Sequence, residues 1–423
     1  MWLPGRTHPV VAGALQQVGP TTRFLYGRSY LDRPEEFSLY APELPLVSGA
    51  QSPRTGDVHG CIRDAAPDSW GRRIIEHRRG LTLADPELSV LTFLLESGSD
   101  RIGALDFQAA PDHYVARDTR QATLRELVTA AEHLDRHEPL TRALDEALFH
   151  GTSIGGARPK ALLDDGTRKL IAKFSSSSDH YPVVKAEFVA MELARRAGLD
   201  VAPVEYVNVL GRDVLLVERF DRTPAGGRRA IVSALTVLGL NELAGRYASY
   251  ADLATAIRHH FTSADATLHE LFARITFNIL VGNNDDHARN HAAFWDGAML
   301  TLTPAYDVCP QGRSGETSTQ AMAIGDDGYR QSNVFGCIER AATYHLTKAH
   351  AGAIVDAQIT TIRENWDEVC DLAELTQEQR SALFEMQFLN PGAVRDECVI
   401  SPFGGAEDVP VSPSVAPPSS SLR

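Results

Sequence analysis

Residues 284–290 (NDDHARN), with Asp307 downstream, have the types and spacing that phosphoryl-transfer chemistry needs. In protein kinases the Asp of a D-x-x-x-x-N segment accepts the proton of the substrate hydroxyl, while the Asn and a later Asp hold the magnesium ions that bridge the ATP phosphates. Asp285 has this spacing to Asn290 and Asp286 does not, so Asp285 is the predicted base. Asn290 and Asp307 are the predicted Mg²⁺ ligands, because Mg²⁺ prefers hard oxygen donors. The pattern indicates an ATP- and Mg²⁺-dependent kinase.

Two plainer interpretations of this segment remain open. Asp and Asn often cap helices and turns, and the D-x-x-x-x-N spacing alone is a weak pattern. His287 and His291 together with Asp285 could also form a zinc set, although the chain has no H-E-x-x-H pattern. His287 is otherwise expected to orient the catalytic loop or to contact the ATP phosphates. The apolar helix predicted before the segment and the hairpin predicted after it favour the kinase interpretation.

A glycine-rich segment and two lysines are candidates for phosphate binding. Residues 151–160 (GTSIGGARPK) could present backbone N–H groups to phosphates, with Lys160 adding positive charge. The segment lacks the two common glycine-rich phosphate-binding patterns, so a P-loop NTPase is disfavoured and a flexible connection is the plainer interpretation. Lys173 lies in a predicted strand and either extends to solvent or contacts phosphates. Glu187, on the following helix, is its candidate ion-pair partner.

The elements around Lys173 predict a small nucleotide-binding lobe. A strand at 169–174, a helix at 183–197 and a hairpin that turns at 211–212 follow from the strand-forming residues, the helical spacing and the glycine positions. The last strand ends near Glu218, and the chain then enters a mostly helical region. The backbone of Glu218 and Phe220 is therefore the candidate hinge that meets the adenine ring.

Helical patterns dominate from about residue 230 onward. An apolar stripe at helical spacing, 268–279, predicts a buried helix that leads directly into the catalytic loop. Residues 293–302 predict a hairpin with a two-residue, type I′ turn at 296–297. This hairpin would return the chain so that Asp307 approaches Asn290.

The first 110 or so residues contain short strand patterns separated by Pro and Gly. Strands are predicted at 23–26, 37–40 and 101–107, with a loop entering a helix over 64–78. The predicted divisions are an N-terminal α/β subdomain at 1–112, a nucleotide-binding lobe at 113–222, a helical lobe at 223–400, and a disordered Pro/Ser/Gly-rich tail at 401–423.

The composition of the 423-residue chain is that of an ordinary globular protein, with 43% apolar and 23% charged residues. A formal net charge of −14 argues against a protein whose whole surface holds nucleic acid. Five scattered cysteines without a C-x-x-C pair favour a reducing, cytoplasmic location. No apolar run approaches the roughly 18 residues of a membrane span, and no secretion signal is expected at the N-terminus.

An ordered series of motifs resembles the HipA family of serine/threonine kinases, the toxin halves of type II toxin–antitoxin pairs. The resemblance covers roughly residues 20–390. Each motif is weak by itself, but their order is specific. The matching segments are 67–72 (PDSWGR), 103–105 (GAL), the loop from Ser153 to Lys160, Lys173, 191–194 (MELA) with Gly198, 217–222 (VERFDR), 285–290 (DDHARN) and 302–307 (LTPAYD).

The resemblance implies an α+β, two-lobed HipA/kinase-like fold, with a mixed N-terminal lobe and a mostly helical C-terminal lobe, that uses ATP and Mg²⁺. It implies a role for each matching position. These are Asp285 as catalytic base, Asn290 and Asp307 as Mg²⁺ ligands, Lys173 and His287 as ATP contacts, Glu218 and Phe220 as the adenine hinge, and Ser153 as an autophosphorylation site. A phosphate of about −1.5 to −2 charge on Ser153 could not stay where ATP phosphates bind.

The resemblance also implies partners. These are a protein substrate such as an aminoacyl-tRNA synthetase or another translation factor, and a helix-turn-helix, HipB-like antitoxin through which DNA is bound. Two alternatives remain: a kinase-fold corepressor with little turnover, and a small-molecule phosphotransferase. The chain departs from the family pattern at Arg158 and Pro159 in the loop, where Pro159 removes an N–H donor, and at Asp286, where a small residue is usual.

Overall fold

The computed structural model describes residues 1–34, 37–81, 85–117, 122–136, 138, 141, 144, 146, 158–176, 179–312, 315–384 and 386–395. The loop serine Ser153 and the predicted tail at 401–423 lie outside these residues. The described chain forms an N-terminal domain, a small lobe built on one antiparallel sheet, and a large helical lobe. The predicted division points near 112, 222 and 400 stay predictions.

The N-terminal domain combines a small antiparallel sheet with short helices. Aromatic side chains on and beside the sheet, Phe24, Tyr26 and Tyr30, are buried in its core. Its elements are β1 (Gly13–Val18), β2 (Thr21–Tyr26), α1 (Arg28–Leu31), β3 (Ala50–Gln51), α2 (Gly60–Arg63), α3 (Ser69–Arg78) and α4 (Val90–Glu96).

Two strand predictions in this domain are wrong. Residues 37–40 make only an isolated bridge between Tyr40 and Leu44, and 101–107 are irregular, with bends at 102–104. Arg101 is fully buried, and its guanidinium donates to Asp106 at 2.9 Å and to other oxygens of the domain. Gly103 has φ +77° and donates its N–H to Asp221. These side-chain and backbone hydrogen bonds take the place of the strand pairing that the apolar pattern predicted.

The small lobe is a four-stranded antiparallel sheet in the order β4-β5-β7-β6, with a helix on each face. Alternate residues of β5 face opposite helices, because side chains alternate along a strand. Leu170 and Phe174 pack on the α5 side, whereas Lys173 is on the α6 side. The elements are α5 (Leu124–Asp135), β4 (Lys160–Asp164), β5 (Lys169–Phe174), α6 (Val183–Arg196), β6 (Val204–Val209) and β7 (Arg212–Glu218).

The strand at 169–174 and the helix closed by Gly198 are confirmed. The hairpin between β6 and β7 is also confirmed, but its turn lies one residue earlier than predicted, at Leu210 and Gly211. Both turn residues have positive φ, 57° and 80°. This is the pattern of a type I′ turn, which matches the right-handed twist of the paired strands.

The large lobe is built around the buried helix α9, whose predicted apolar stripe is confirmed. A three-stranded sheet, β10-β9-β8, lies beside it. The lobe contains β8 (Ile231–Ser233), α7 (Ala234–Val237), a 3₁₀ helix (Glu242–Tyr247), α8 (Tyr250–His260), α9 (Ala264–Leu280), β9 (Ala292–Trp295), β10 (Leu300–Leu302), α10 (Val334–Glu339), a second 3₁₀ helix (Ala341–Tyr344), α11 (Lys348–Leu372), α12 (Gln377–Leu383) and α13 (Pro391–Val394).

The β9–β10 hairpin follows the predicted catalytic loop, as expected. The prediction of a type I′ turn at 296–297 is wrong. Trp295 pairs with Leu300, so Asp296 and Met299 stand opposite each other at the end of the ladder. The turn residues are therefore Gly297 and Ala298, of which only Gly297 has a positive φ. The Asp296 carboxylate accepts from the N–H groups of Ala298 and Met299 and fixes this different turn.

The N-terminal domain touches both lobes of the remaining chain. Trp70 donates its indole N–H to the Lys160 carbonyl in the small lobe at 2.9 Å. Asp64 accepts from the N–H and hydroxyl of Ser233 in the large lobe, each at 2.7 Å. Gly103 meets Asp221 where the two lobes join. None of the helices in the described ranges is both long and apolar enough to cross a bilayer.

Candidate active site

The predicted catalytic loop begins where α9 ends. Gly282 has φ +72°, and a Cβ on it would lie 2.7 Å from the Gln387 carbonyl oxygen, so a side chain does not fit. Asn283 then donates its side-chain N–H to Asn278 Oδ1 on α9 at 2.9 Å. These two contacts fix the direction in which the chain leaves the helix and enters the loop.

The two adjacent aspartates of the loop have opposite environments. Asp285 is exposed, whereas Asp286 is buried. Partial burial raises the pKa of Asp285; His287 opposes this effect and the Asp307 carboxylate adds to it. Burial also acts to raise the pKa of Asp286, but His291 and hydrogen bonding outweigh it and the net shift is downward. Asp285 is thus the accessible carboxylate, and Asp286 an internal anion.

An ion triad, in which Lys173 and Glu187 are buried and Asp307 is partly exposed, joins the small lobe to the end of the hairpin. Lys173 Nζ lies 2.5 Å from Glu187 Oε1 and 2.5 Å from Asp307 Oδ1. Burial alone would lower the pKa of Lys173, but the two carboxylates raise it well above its usual range. The same contact with Lys173, helped by Lys160, holds the pKa of Asp307 far below its usual range against burial. Lys173 and Asp307 are therefore both charged near neutral pH.

Lys160 is the second cation of the site. It lies directly opposite Lys173 in the β4–β5 register and is only 5% exposed. Burial and the repulsion from Lys173 lower its pKa to about 8, although Asp307 and Asp68 act in the opposite direction. Two lysines on adjacent strands thus concentrate positive charge beside Asp307.

The remaining predicted residues lie around the same cleft. Asn290 is buried and donates its side-chain N–H to the Asp285 carbonyl at 3.3 Å. His287 is half-buried, and its Nδ1 has no hydrogen-bond partner among the described residues. Glu218 ends β7, where its N–H donates to the Pro203 carbonyl. The Phe220 ring lies 5.7 Å from the ring of Tyr306, next to Asp307.

Several residues that hold this loop were not predicted. Arg289 Nη2 pairs with Asp68 Oδ1 of the N-terminal domain at 2.6 Å, and its Nη1 pairs with Glu242 Oε1 at 2.5 Å. Tyr306 donates its hydroxyl to the Arg289 carbonyl at 2.7 Å. The charge of Arg289 was visible in the sequence, but nothing in the sequence identified partners so far away along the chain.

The donor chemistry of the site fits Mg²⁺ better than zinc. Asp285, Asn290 and Asp307 offer carboxylate and amide oxygens, and Mg²⁺ at phosphates needs only one or two carboxylates from the protein. For zinc, His291 would have to turn outward, yet its Nε2 faces the buried Asp286 at 2.9 Å. Across the described ranges, His, Cys, Asp and Glu side chains do not gather in groups of three or more that could hold a metal.

Family comparison agrees with this arrangement. The model of the HipA-like C-terminal domain matches residues 152–366, about half of the chain, and the model of the HipA N-terminal domain matches residues 6–108. The chain belongs to the HipA family. The family predicted from the ordered motifs is confirmed, and the N-terminal match covers the domain that reaches Arg289.

Individual HipA relatives match shorter stretches. The serine/threonine-protein kinase toxin HipA of Shewanella oneidensis is 30% identical over an alignment of 203 residues that covers 41% of this chain and 47% of that protein. The putative kinase Y4mE of Sinorhizobium fredii is 30% identical over 149 residues, 33% of each protein. These matches span half or less of the two relatives' own lengths.

A solved HipA structure shares the fold. The Shewanella oneidensis HipA in a complex with HipB and its operator DNA superposes with a TM-score of 0.66 at 20% identity, over 88% of this chain and 91% of that one. The predicted α+β, two-lobed HipA-like fold is confirmed.

Proposed function

We propose that this protein is an ATP- and Mg²⁺-dependent serine/threonine protein kinase that acts as a HipA-like toxin. The observation that carries the proposal is the Lys173–Glu187–Asp307 ion triad beside a loop that exposes Asp285. A lysine held by a helix glutamate, together with a separate Asp and Asn, is the set that orients ATP phosphates in kinases. The names of the Shewanella and Sinorhizobium relatives support the same activity.

Each residue has a role in the proposed reaction. Asp285 accepts the proton of the substrate hydroxyl, and Asn290 and Asp307 hold Mg²⁺. Lys160, Lys173 and His287 contact the phosphates, and the backbone at Glu218 and Phe220 holds the adenine. Bound Mg²⁺ would neutralise charge that develops on the phosphates. Glu187 gives Lys173 a second anchor, so that its ammonium group stays in the site when Asp307 binds the metal.

The proposed acceptors are a protein of translation, such as an aminoacyl-tRNA synthetase, and Ser153 of this chain itself, which would place the protein in the cytoplasm. The proposed partner is a helix-turn-helix, HipB-like antitoxin that brings DNA, in line with the HipA–HipB–operator complex named above. The intact charged set favours turnover over a purely corepressor role. A small-molecule phosphotransferase would use the same residues.

The test is transfer of radiolabelled phosphate from ATP by the wild type and by Asp285→Ala, with Mg²⁺ and with a chelator. We expect Mg²⁺-dependent labelling in the wild type alone. Equal, metal-independent labelling of both proteins would contradict the proposal. A Ser153→Ala variant that labels itself as strongly as the wild type would contradict the proposal that Ser153 is the autophosphorylation site. If the protein does not co-purify with the helix-turn-helix product of an adjacent reading frame, the proposal of a HipB-like antitoxin partner is contradicted.

A further inference from the structure

The buried carboxylate of Asp286 has an unusual number of donors. It is 2% exposed, and the proposed chemistry does not use it. Its Oδ2 accepts three side-chain hydrogen bonds, from Tyr250 Oη on α8 at 2.6 Å, Asn278 Nδ2 on α9 at 2.8 Å and His291 Nε2 at 2.9 Å. A buried carboxylate is tolerated when such donors compensate its charge. The three donors therefore hold Asp286 in one place between two helices and the end of the loop.

The contact between Asp286 and His291 closes the catalytic loop on itself. Asp286 directly follows Asp285, and His291 directly follows Asn290. A hydrogen bond between the two following residues therefore ties together the ends of the segment that carries the proposed base and the proposed metal ligand. We call the Asp286–His291 contact the clasp.

Backbone contacts inside the loop complete this arrangement. The Asn290 N–H donates to the His287 carbonyl at 2.8 Å, and the His291 carbonyl accepts from the Ala234 N–H at 2.7 Å. The side chain of Asn290 meets the Asp285 carbonyl. Each end of the loop is thus tied to the other end and to the large lobe, so movement at the clasp would move both functional side chains.

We infer that Asp286 and His291 are positioning residues whose clasp sets the separation of Asp285 and Asn290 for phosphoryl transfer. The inference rests on the proposed function, because it concerns the geometry of the same site. It also accounts for two features of the sequence: an acidic residue at position 286, and a histidine that could have been taken for a zinc ligand. The hydrogen bond of the clasp needs both side chains. Replacement of either Asp286 or His291 should therefore remove the same constraint on the ends of the loop.

The experiment compares Asp286→Ala, His291→Ala and the double variant, with Asp286→Asn as a milder replacement and His291→Gln as the conservative one. We expect each alanine variant to lower kcat by about 10- to 100-fold, as misplacement by an ångström can. The Mg²⁺ concentration for half-maximal rate should rise. The KM for ATP should change less than kcat, since Lys160 and Lys173 are untouched and only His287 and the metal ligand Asn290 lie in the released loop. The double variant should be about as slow as either single one, and His291→Gln should recover much of the rate because its amide can still donate.

A matched control separates positioning from general loss of stability. Gln358→Ala removes another buried polar side chain of the same lobe, which bonds to Thr276 and Ala273 on α9. The kcat values of the clasp variants are compared with that of Gln358→Ala after the decrease in Tm has been measured for each, so that variants with similar decreases in Tm are matched. Clasp variants that lose no more kcat than Gln358→Ala, or single effects that multiply in the double variant, would overturn the inference.

Hydrogen exchange of the 281–292 amides gives a readout that does not need turnover. We expect faster exchange in both alanine variants than in Gln358→Ala, and unchanged exchange would overturn the clasp. Absence of Mg²⁺-dependent transfer in the wild type would instead overturn the proposed kinase activity. The two failures are therefore distinguishable.

Discussion

At the scale of single residues, Asp285 and Asp286 illustrate how much a one-position difference matters. The D-x-x-x-x-N spacing selected Asp285, and the structure places it at the surface of the loop while Asp286 is internal. The ion pair between Lys173 and Glu187 is also confirmed, because both lie at the interface of β5 and α6. The contact of Lys173 with Asp307 was not predicted, since sequence patterns give no distance across the two lobes. The catalytic and metal-binding roles stay predictions.

Lys160 should make the proposed ATP binding depend on pH. Its pKa is lowered to about 8, whereas that of Lys173 is raised well above its usual range, so only Lys160 loses its charge between pH 7 and 9. We expect the Kd for ATP to increase as pH rises through about 8, because a neutral amine no longer attracts phosphate. Calorimetric titration at several pH values measures this change.

Lys160→Arg is the matched variant for this prediction, because its guanidinium stays charged over the whole range. Its Kd should stay nearly constant between pH 7 and 9. The free energy of unfolding depends on pH in the opposite direction to ATP binding. Because the pKa of Lys160 is lowered in the folded protein, the folded state binds fewer protons at this site than the unfolded state between pH 8 and about 10.5. The contribution of Lys160 to stability therefore rises with pH over this range. A wild-type Kd that does not change across pH 8 would contradict the assignment.

At the scale of elements, regular periodicity predicted well and irregular backbone did not. The helix over 268–279 and the strand at 169–174 are confirmed, because the apolar spacing of the helix and the strand-forming residues of the strand each agree with the burial that the fold gives them. Segment 101–107 has an apolar pattern but serves as a hydrogen-bonding centre around Arg101. The two hairpins were found, yet their turns were misplaced, since turn type depends on register rather than on which residues favour turns.

The β6–β7 turn offers a test of stability. Leu210 has φ 57° and is 52% exposed, so it adopts a left-handed conformation with little burial in return. Asn tolerates this conformation better, and Leu210→Asn should raise the free energy of unfolding by roughly 1 kcal/mol. Thermal unfolding should show a Tm increase of about 1 °C.

Leu243→Asn is the control for this change, because Leu243 is 86% exposed and does not have a positive φ. It should leave the Tm nearly unchanged or lower it slightly. A Leu210→Asn variant no more stable than wild type would show that the turn conformation does not strain the leucine.

At the scale of the whole molecule, the N-terminal domain contributes directly to the proposed active site. Asp68 pairs with Arg289 of the catalytic loop, and Trp70 bonds to the backbone of Lys160. No local sequence pattern could have predicted these contacts, because each joins segments far apart in the chain. The family comparison assigns the two parts to separate domain models, whereas the contacts make them one functional unit.

Asp68→Asn tests this connection. The pair with Arg289 is partly exposed and contributes up to about 1 kcal/mol. We expect this free energy to hold the loop in place in the transition state, so the loss of the pair should lower the rate of phosphate transfer by about two- to fivefold. Steady-state rates measure the effect. Glu96→Gln removes a carboxylate that pairs with Arg79 inside the N-terminal domain, and should leave the rate unchanged. Equal rates for Asp68→Asn and Glu96→Gln would contradict a role for Asp68 at the site.

The most direct test of the proposed kinase site is a comparison of ATP binding and phosphate transfer in the wild type, Asp285→Asn and Asp307→Asn. Asp285→Asn removes the base without touching the triad, so it should bind ATP and Mg²⁺ like the wild type and transfer phosphate about 10²- to 10⁴-fold more slowly. Asp307→Asn should lose Mg²⁺-dependent binding as well as transfer. Transfer by Asp285→Asn at the wild-type rate would contradict the account.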